Sequence, residues 1–128
     1  MTTTPKILWT GRVLSALPVL MLLMSAGMKI AAVQPVVEAF TGQFGYPAST
    51  ILPIGILELF CVVVYLVPRT AVLGAVLLTG YLGGAIATHV RVGDLFVGPL
   101  VLGLLIWAGL YLRDERVRSL MPLRKPAA

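Results

Sequence analysis

The chain has 128 residues, 59% of them hydrophobic and 12% charged, with a formal net charge of +5 and a mean hydropathy of +0.98. A chain this apolar and this poor in charge is excluded from the ordinary water-soluble domains and belongs in a membrane. The single cysteine, Cys61, excludes a disulfide framework, a C-x-x-C redox pair and a zinc-thiolate set; it reads as a small buried hydrophobe, and no metal site is expected. The basic excess does not point to nucleic acid. Arg113, Arg116, Arg118, Arg124 and Lys125 come directly after a hydrophobic run, which is the position of a membrane flank.

In chain order, residues 7–28 form the first predicted span, with Pro18 expected to bend it. Gly11, Ser15, Pro18, Leu22, Ser25 and Lys29 fall on one stripe at helical spacing, the face expected to turn inward. A signal peptide cleaved near Ser25-Ala26-Gly27 competes with this reading, against which stand Pro18 in its core and an apolar pattern that continues past Lys29. Pro35 and Gly42 then bracket a short helix with Val36, Val37 and Phe40 on one side, as in a helix lying on a membrane surface. Phe44, Gly45, Tyr46 and Pro47 come next as interfacial anchors, so this loop is read as a connector or, alternatively, as a lid over a site.

Residues 50–67 form the second span, carrying one acidic residue, Glu58. Pro68-Arg69 permits only a tight antiparallel turn into the third span, 70–90, a charge-free run long enough to cross a hydrocarbon core of ~30 Å. In it Ala71, Ala75, Thr79, Gly83 and Ala87 recur at every fourth position, with Gly80 and Gly84 on the neighbouring stripe. Small residues let helix backbones approach in lipid, so this span is expected to be central and to pack through Gly83 and Gly84. Asp94 is expected to cap a fourth span over 95–112, and 113–128 reads as a basic tail. The fold class is thus all-α: a polytopic membrane bundle of four transmembrane helices with a short interfacial helix in the first outer loop.

With both ends cytoplasmic, Lys6, Arg12, Arg69, Arg113, Arg116, Arg118, Arg124 and Lys125 lie inside and only Lys29 and Arg91 outside, a strong positive-inside bias. Glu58 is the one ionisable residue well within a span, and such residues mark sites. Counted from the turn at Pro68, its depth matches Gly80 on the third span, Gly103 on the fourth and Pro18 to Leu22 on the first. His89, the only histidine, falls roughly 12 Å nearer the outer surface by the same count. Lys29, Glu58, Gly80, Gly84, His89, Arg91 and Asp94 are the candidate ligand-binding residues, as a funnel cationic at its mouth and acidic at its floor; Glu58 and His89 are also the candidate catalytic groups. Bland readings stand beside these: Glu58 as a structural carboxyl hydrogen-bonded between helices, His89 as a polar residue marking a helix end, Lys29 and Arg91 snorkelling to headgroups, and Asp94 as a helix cap. No nucleophile with an adjacent base, H-E-x-x-H, phosphate loop or haem-type histidine pair is present, which argues against a protein-only triad.

Several short motifs carry a resemblance. They are Gly27-Met28-Lys29, Phe44-Gly45-Tyr46-Pro47, Gly55-Ile56-Leu57-Glu58-Leu59, the stretch Pro68 to Ala75, the longer run Gly80 to Asp94, Trp107, and Leu112-Arg113-Asp114. Together they resemble the DoxX-like family of small bacterial integral membrane proteins, from about Trp9 to Leu123. The resemblance implies one four-helix domain over 1–128, placed in the bacterial cytoplasmic membrane. It also implies a link to the wider DoxX superfamily, which includes subunits associated with thiosulfate and quinone oxidation. Three functions stand as expectations: a ligand-binding or accessory subunit of a redox or quinone-linked system, with a quinone or lipid-like ligand; an enzyme on a small lipid or isoprenoid using Glu58 as acid or base; or a non-catalytic assembly partner of another membrane protein. Membrane lipids are the expected surroundings, with a protein partner or a homo-oligomer as further expectations.

Overall fold

In the computed structural model, which describes residues 3–126, helix begins as soon as the chain offers a cap. The Thr4 hydroxyl accepts from the Ile7 amide at 3.3 Å, and Pro5 occupies the first turn, where its missing N–H costs nothing. Helix α1 (Pro5–Ile30) then runs 26 residues through Pro18. A short turn leads to α2 (Gln34–Glu38), which continues as a single π turn over Ala39–Gln43. Helix α3 (Ile51–Leu66) is next; a 3₁₀ turn at Pro68–Thr70 reverses the chain into α4 (Ala71–Arg91). Gly93, at φ 71°, takes the left-handed conformation that ends this segment. Helix α5 (Val97–Arg113) and a short α6 (Glu115–Leu120) complete the chain, and no strand occurs among the described residues.

Three helical segments, Pro5–Ile30, Ala48–Leu66 and Pro68–Arg91, are long and apolar enough to cross a membrane. The fourth, α5, is apolar and has 17 residues, about 25 Å at 1.5 Å per residue. Helix α1 packs against α3 and α5, and α4 packs against the same two, so the four close into a bundle whose most extensive contact is α1 with α5. The third span does have partners on two sides, as expected, but it is not central: α1 occupies the equivalent position across the ring. Leu22, Val62, Leu78, Ile106 and Leu110 fill the interior, while Trp9, Leu20, Met24, Phe60 and Leu104 face outward. That outward apolar belt is what lipid requires and water forbids.

Two boundaries differ from expectation. The fourth helix starts at Val97, so Asp94 is not its N-cap; Phe96 holds that position, and Asp94 Oδ1 accepts only from the adjacent Leu95 amide at 2.8 Å. The basic tail is also not featureless. Asp114 caps α6 by accepting from the Arg116 amide at 2.9 Å, and the buried Arg118 guanidinium donates to the Tyr111 and Leu112 carbonyls at 2.7 and 2.8 Å, satisfying the C-terminal end of α5. Burial alone would raise the Asp114 carboxyl, but the hydrogen bonds and charge of Arg116 outweigh it and hold the group below its ordinary value. Its hold on α6 is therefore present at neutral pH and is lost only as pH falls through that lowered value.

The close backbone packing lies elsewhere than expected. A side chain added at Gly83 or Gly84 would meet nothing within 4 Å, which corrects the assignment of these two glycines to helix contacts. The small-residue stripe of α4 packs only in its first turns, where Ala71 and Ala75 are buried; Gly83 and Ala87, further along, are exposed. The tight approaches are instead Gly74 against the Tyr65 backbone, and Gly11 against Gly109, where a Cβ would lie 2.8 Å from the Gly109 carbonyl oxygen. Gly74→Ala is expected to destabilise the bundle by about 1–3 kcal/mol through overpacking, whereas Gly83→Ala changes little. Melting of the two variants in detergent checks this, and equal melting temperatures would contradict it.

Candidate functional site

The inward stripe of α1 is buried at Gly11, Ser15, Pro18, Leu22 and Lys29, and its last member reaches Glu58. Lys29 Nζ lies 2.9 Å from Glu58 Oε2, with the carboxylate side chain 1% exposed and the lysine side chain 11% exposed. Ser25, one turn before Lys29 on the same face, completes the cluster: Lys29 donates to its hydroxyl at 2.5 Å, and that hydroxyl donates to Glu58 Oε2 at 3.3 Å. Gly55 makes this possible, because a Cβ there would come within 2.8 Å of Lys29 Cβ. Tyr81 on α4 stands beside the same carboxylate.

Sequence depth counting set Pro18 to Leu22 opposite Glu58 and left Lys29 at the funnel's mouth. The structure places Ser25 and Lys29 at Glu58 instead, so Lys29 belongs to the floor and does not snorkel. A residue count from the helix ends misses this, because α1 continues to Ile30 and carries its last turn inward past the start of α3.

Above the pair lies a cavity of about 410 Å³ between α3, α4 and the first connecting loop. Ile54 and Leu57 form its α3 wall, Gly80, Tyr81, Gly84, Thr88 and His89 its α4 wall, and Lys29 its polar floor. The rings of Phe40, Phe44 and Tyr46 close the top. Gly80 and Gly84 have open space where a side chain would be, and the neighbouring Leu57 is half exposed on the outer surface. The cavity is thus open sideways, towards the lipid-facing flank of α3 and α4. Its size and its apolar walls with few polar groups are those of a small-molecule pocket.

The loop is fastened over the cavity by residues that the sequence placed in the funnel itself. Arg91 donates to the Phe44 carbonyl and lies 5.5 Å from the Tyr46 ring centroid. Asp94 Oδ2 accepts from Gln43 Nε2 at 3.0 Å, and the Tyr46 hydroxyl bonds Thr88 Oγ1 at 2.8 Å. The Phe44 ring meets the His89 ring edge-on at 5.1 Å. His89 Nδ1 donates to the Ala85 carbonyl at 2.6 Å, which leaves Nε2 turned to Asp94 at 4.0 Å. His89 and Glu58 are therefore not paired; His89 lines the upper wall, and Arg91 and Asp94 hold the cover. Lys29 Nζ sits 5.9 Å from the Phe40 ring centroid, connecting floor and cover.

Of the candidate residues, Lys29, Gly80, Gly84 and His89 come together around one space with Glu58 beneath it. Ser25, Tyr81, Thr88 and the three covering rings were missed. Ser25 carried a signal, four residues before Lys29 on its stripe; Tyr81 carried a weaker one, a hydroxyl-bearing ring inside a span beside Gly80. Phe40 read as part of a surface helix and Phe44 and Tyr46 as interfacial anchors, with a lid over a site only as the alternative reading of their loop, because nothing local shows that it folds back.

Fold and site define a class: a polytopic helical membrane protein with a laterally open, aromatic-covered cavity over a buried ion pair. A sequence model described as the DoxX-like family matches residues 13–109, well over half of the chain, and the chain belongs to that family. No curated protein and no solved structure matches it.

Breaking a buried pair leaves one charge uncompensated and costs about 3–5 kcal/mol, whereas replacing both partners costs much less. Glu58→Gln alone is therefore expected to destabilise the fold markedly, because Lys29 loses its counter-charge, and Lys29→Gln/Glu58→Gln together to recover most of the loss. A double-mutant cycle on detergent melting measures the coupling; additive single effects would mean that the two side chains do not act as a pair.

Proposed function

We propose that this protein binds a membrane-soluble ligand with a flat polar head, of the quinone type, as a ligand-binding or accessory subunit of a membrane redox system. The observation that carries this reading is the cavity of about 410 Å³ with apolar walls, three aromatic rings above and a lysine-glutamate pair below. A planar head stacks against Phe40, Phe44 and Tyr46. Lys29 and Tyr81 are donors of the kind that carbonyl oxygens accept from. The open flank at Gly80 and Gly84 supports entry from the bilayer, where such a ligand dissolves.

A second reading, an enzyme on a small lipid or isoprenoid, rests on Tyr81, which lines the cavity, and on the Glu58 carboxylate beneath it as the acid-base group. Membership of the DoxX-like family is compatible with both. The asymmetry of its basic residues supports an orientation with both ends inside, and its family supports a bacterial cytoplasmic membrane.

Purification in mild detergent, followed by mass spectrometry of everything retained, tests the proposal. A quinone retained by the wild-type protein and about tenfold less by the well-folded Lys29→Gln/Glu58→Gln variant is expected, since charge-assisted hydrogen bonds are worth ~1.5–3 kcal/mol. Equal retention by that variant would remove the ion pair from the site. A stoichiometric protein partner with no small ligand would replace the proposal with an assembly role. Cysteine labelling from outside at positions beyond Arg113 is expected to fail, and successful labelling would invert the topology.

A further inference from the structure

A second polar groove lies at the opposite, basic end of the bundle, between α1 and α3, with a volume of about 190 Å³. Arg12, Ser15, Tyr65 and Arg113 supply its polar lining, and the exposed Ala16 and Leu66 continue it along the apolar flank. The interior face is fully bonded. Tyr65 donates to the Ile106 carbonyl at 2.8 Å, Ser15 and Tyr65 share a bond of 2.9 Å, and Arg113 Nε donates to Ser15 Oγ at 3.1 Å.

Arg113 is also fixed face-on, its guanidinium carbon 5.2 Å from the Tyr65 ring centroid, while its two terminal amino groups have no partner among the described residues. Arg12 has no carboxylate partner there either; it stacks on the exposed Trp9 ring at 4.9 Å. Among the described residues, the carboxylates at this end are engaged elsewhere, Asp114 with Arg116 at 3.3 Å and Glu115 beside Arg118 at 3.9 Å. Two guanidinium groups thus line one groove with no carboxylate of the described residues between them. Such an arrangement is self-repelling until an anion joins it.

We propose that this groove binds the phosphodiester of an anionic phospholipid, with Arg12 and Arg113 on the phosphate oxygens and an acyl chain along Ala16 and Leu66. A guanidinium presents a planar fork that matches a phosphate's oxygens, and one held by Ser15 and Tyr65 loses little freedom on binding. The groove continues from charge into an apolar flank, which matches a lipid and gives a free phosphate nothing. Trp9 beside Arg12 sets the phosphate at the level of an interfacial aromatic ring.

Native mass spectrometry of the full chain in detergent, offered dioleoylphosphatidylglycerol, dioleoylphosphatidylcholine or inorganic phosphate, tests this. One phosphatidylglycerol is expected to be retained in preference to phosphatidylcholine, with affinity about tenfold lower in Arg12→Gln and unchanged in Arg69→Gln. Arg69 is exposed at the same end but does not line the groove. Arg12 is exposed and makes no packing contact that the bundle needs, so the lipid-free melting temperature of Arg12→Gln is expected to equal that of the wild type; this keeps the test valid even if Arg113→Gln misfolds. Equal retention of phosphatidylcholine, equal weakening by Arg69→Gln, or inorganic phosphate binding as tightly as the lipid with the same dependence on Arg12 would each overturn the proposal.

Discussion

A lysine and a glutamate buried together in an apolar bundle form the constraint on which the upper half of this molecule depends. Neither charge is tolerable alone at that depth, and their attraction offsets desolvation only when geometry is tight and the remaining hydrogen-bonding capacity is used. Several otherwise unrelated features meet that requirement. Helix α1 must continue to its last turn at Ile30 to carry Lys29 inward; Gly55 must lack a side chain so that Lys29 can lie against α3; and Ser25 must sit one turn earlier to bond both partners. The pair also fixes where the first loop can go, because that loop leaves α1 directly after Lys29 and its Phe40 ring folds over the ammonium group.

The two ends of the bundle are held by different means. At the basic end, backbone approaches at Gly11, Gly74 and Gly109 surround a hydroxyl network on Ser15 and Tyr65, leaving little free volume on the α3–α4 and α1–α5 contacts. At the other end α3 and α4 are spread enough to leave the cavity, and polar contacts from Arg91, Asp94 and Thr88 to the covering loop take the place of packing. Tight packing resists deformation, whereas a handful of partly exposed hydrogen bonds opens at modest cost.

Much of the architecture was legible from local pattern. Long apolar runs marked the four long helices to within a few residues, and the stripe from Gly11 to Lys29 correctly named the buried face of α1, because helical periodicity and membrane length are local rules. The failures all depended on where helices sit against one another. Small residues at every fourth position of α4 announced close packing, yet the same composition serves equally to leave a wall open, and only the position of the neighbouring helices decides which; Ala75 became a contact and Gly83 a vacancy. The Lys29–Glu58 pair escaped for a similar reason. Depth counting treats helices as flush rods, and an offset of about two turns in α1 was enough to hide the partner. The role of Asp94 was misread because a cap is inferred from the residues immediately downstream, whereas its main partner, Gln43, lies far upstream.

The vacancies at Gly80 and Gly84 separate two properties that proteins usually carry in the same residues. Helix α4 secures the bundle through Ala71, Gly74, Ala75 and Leu78, and shapes the cavity wall through Gly80 and Gly84, one or two turns further on. A methyl or larger group added at either of the latter positions trims the space available to a guest without entering any helix contact. On the proposed reading of this cavity as a ligand site, selectivity can drift or be engineered along this helix independently of foldability, with a graded set of side chains acting as a gauge for the dimensions of a guest.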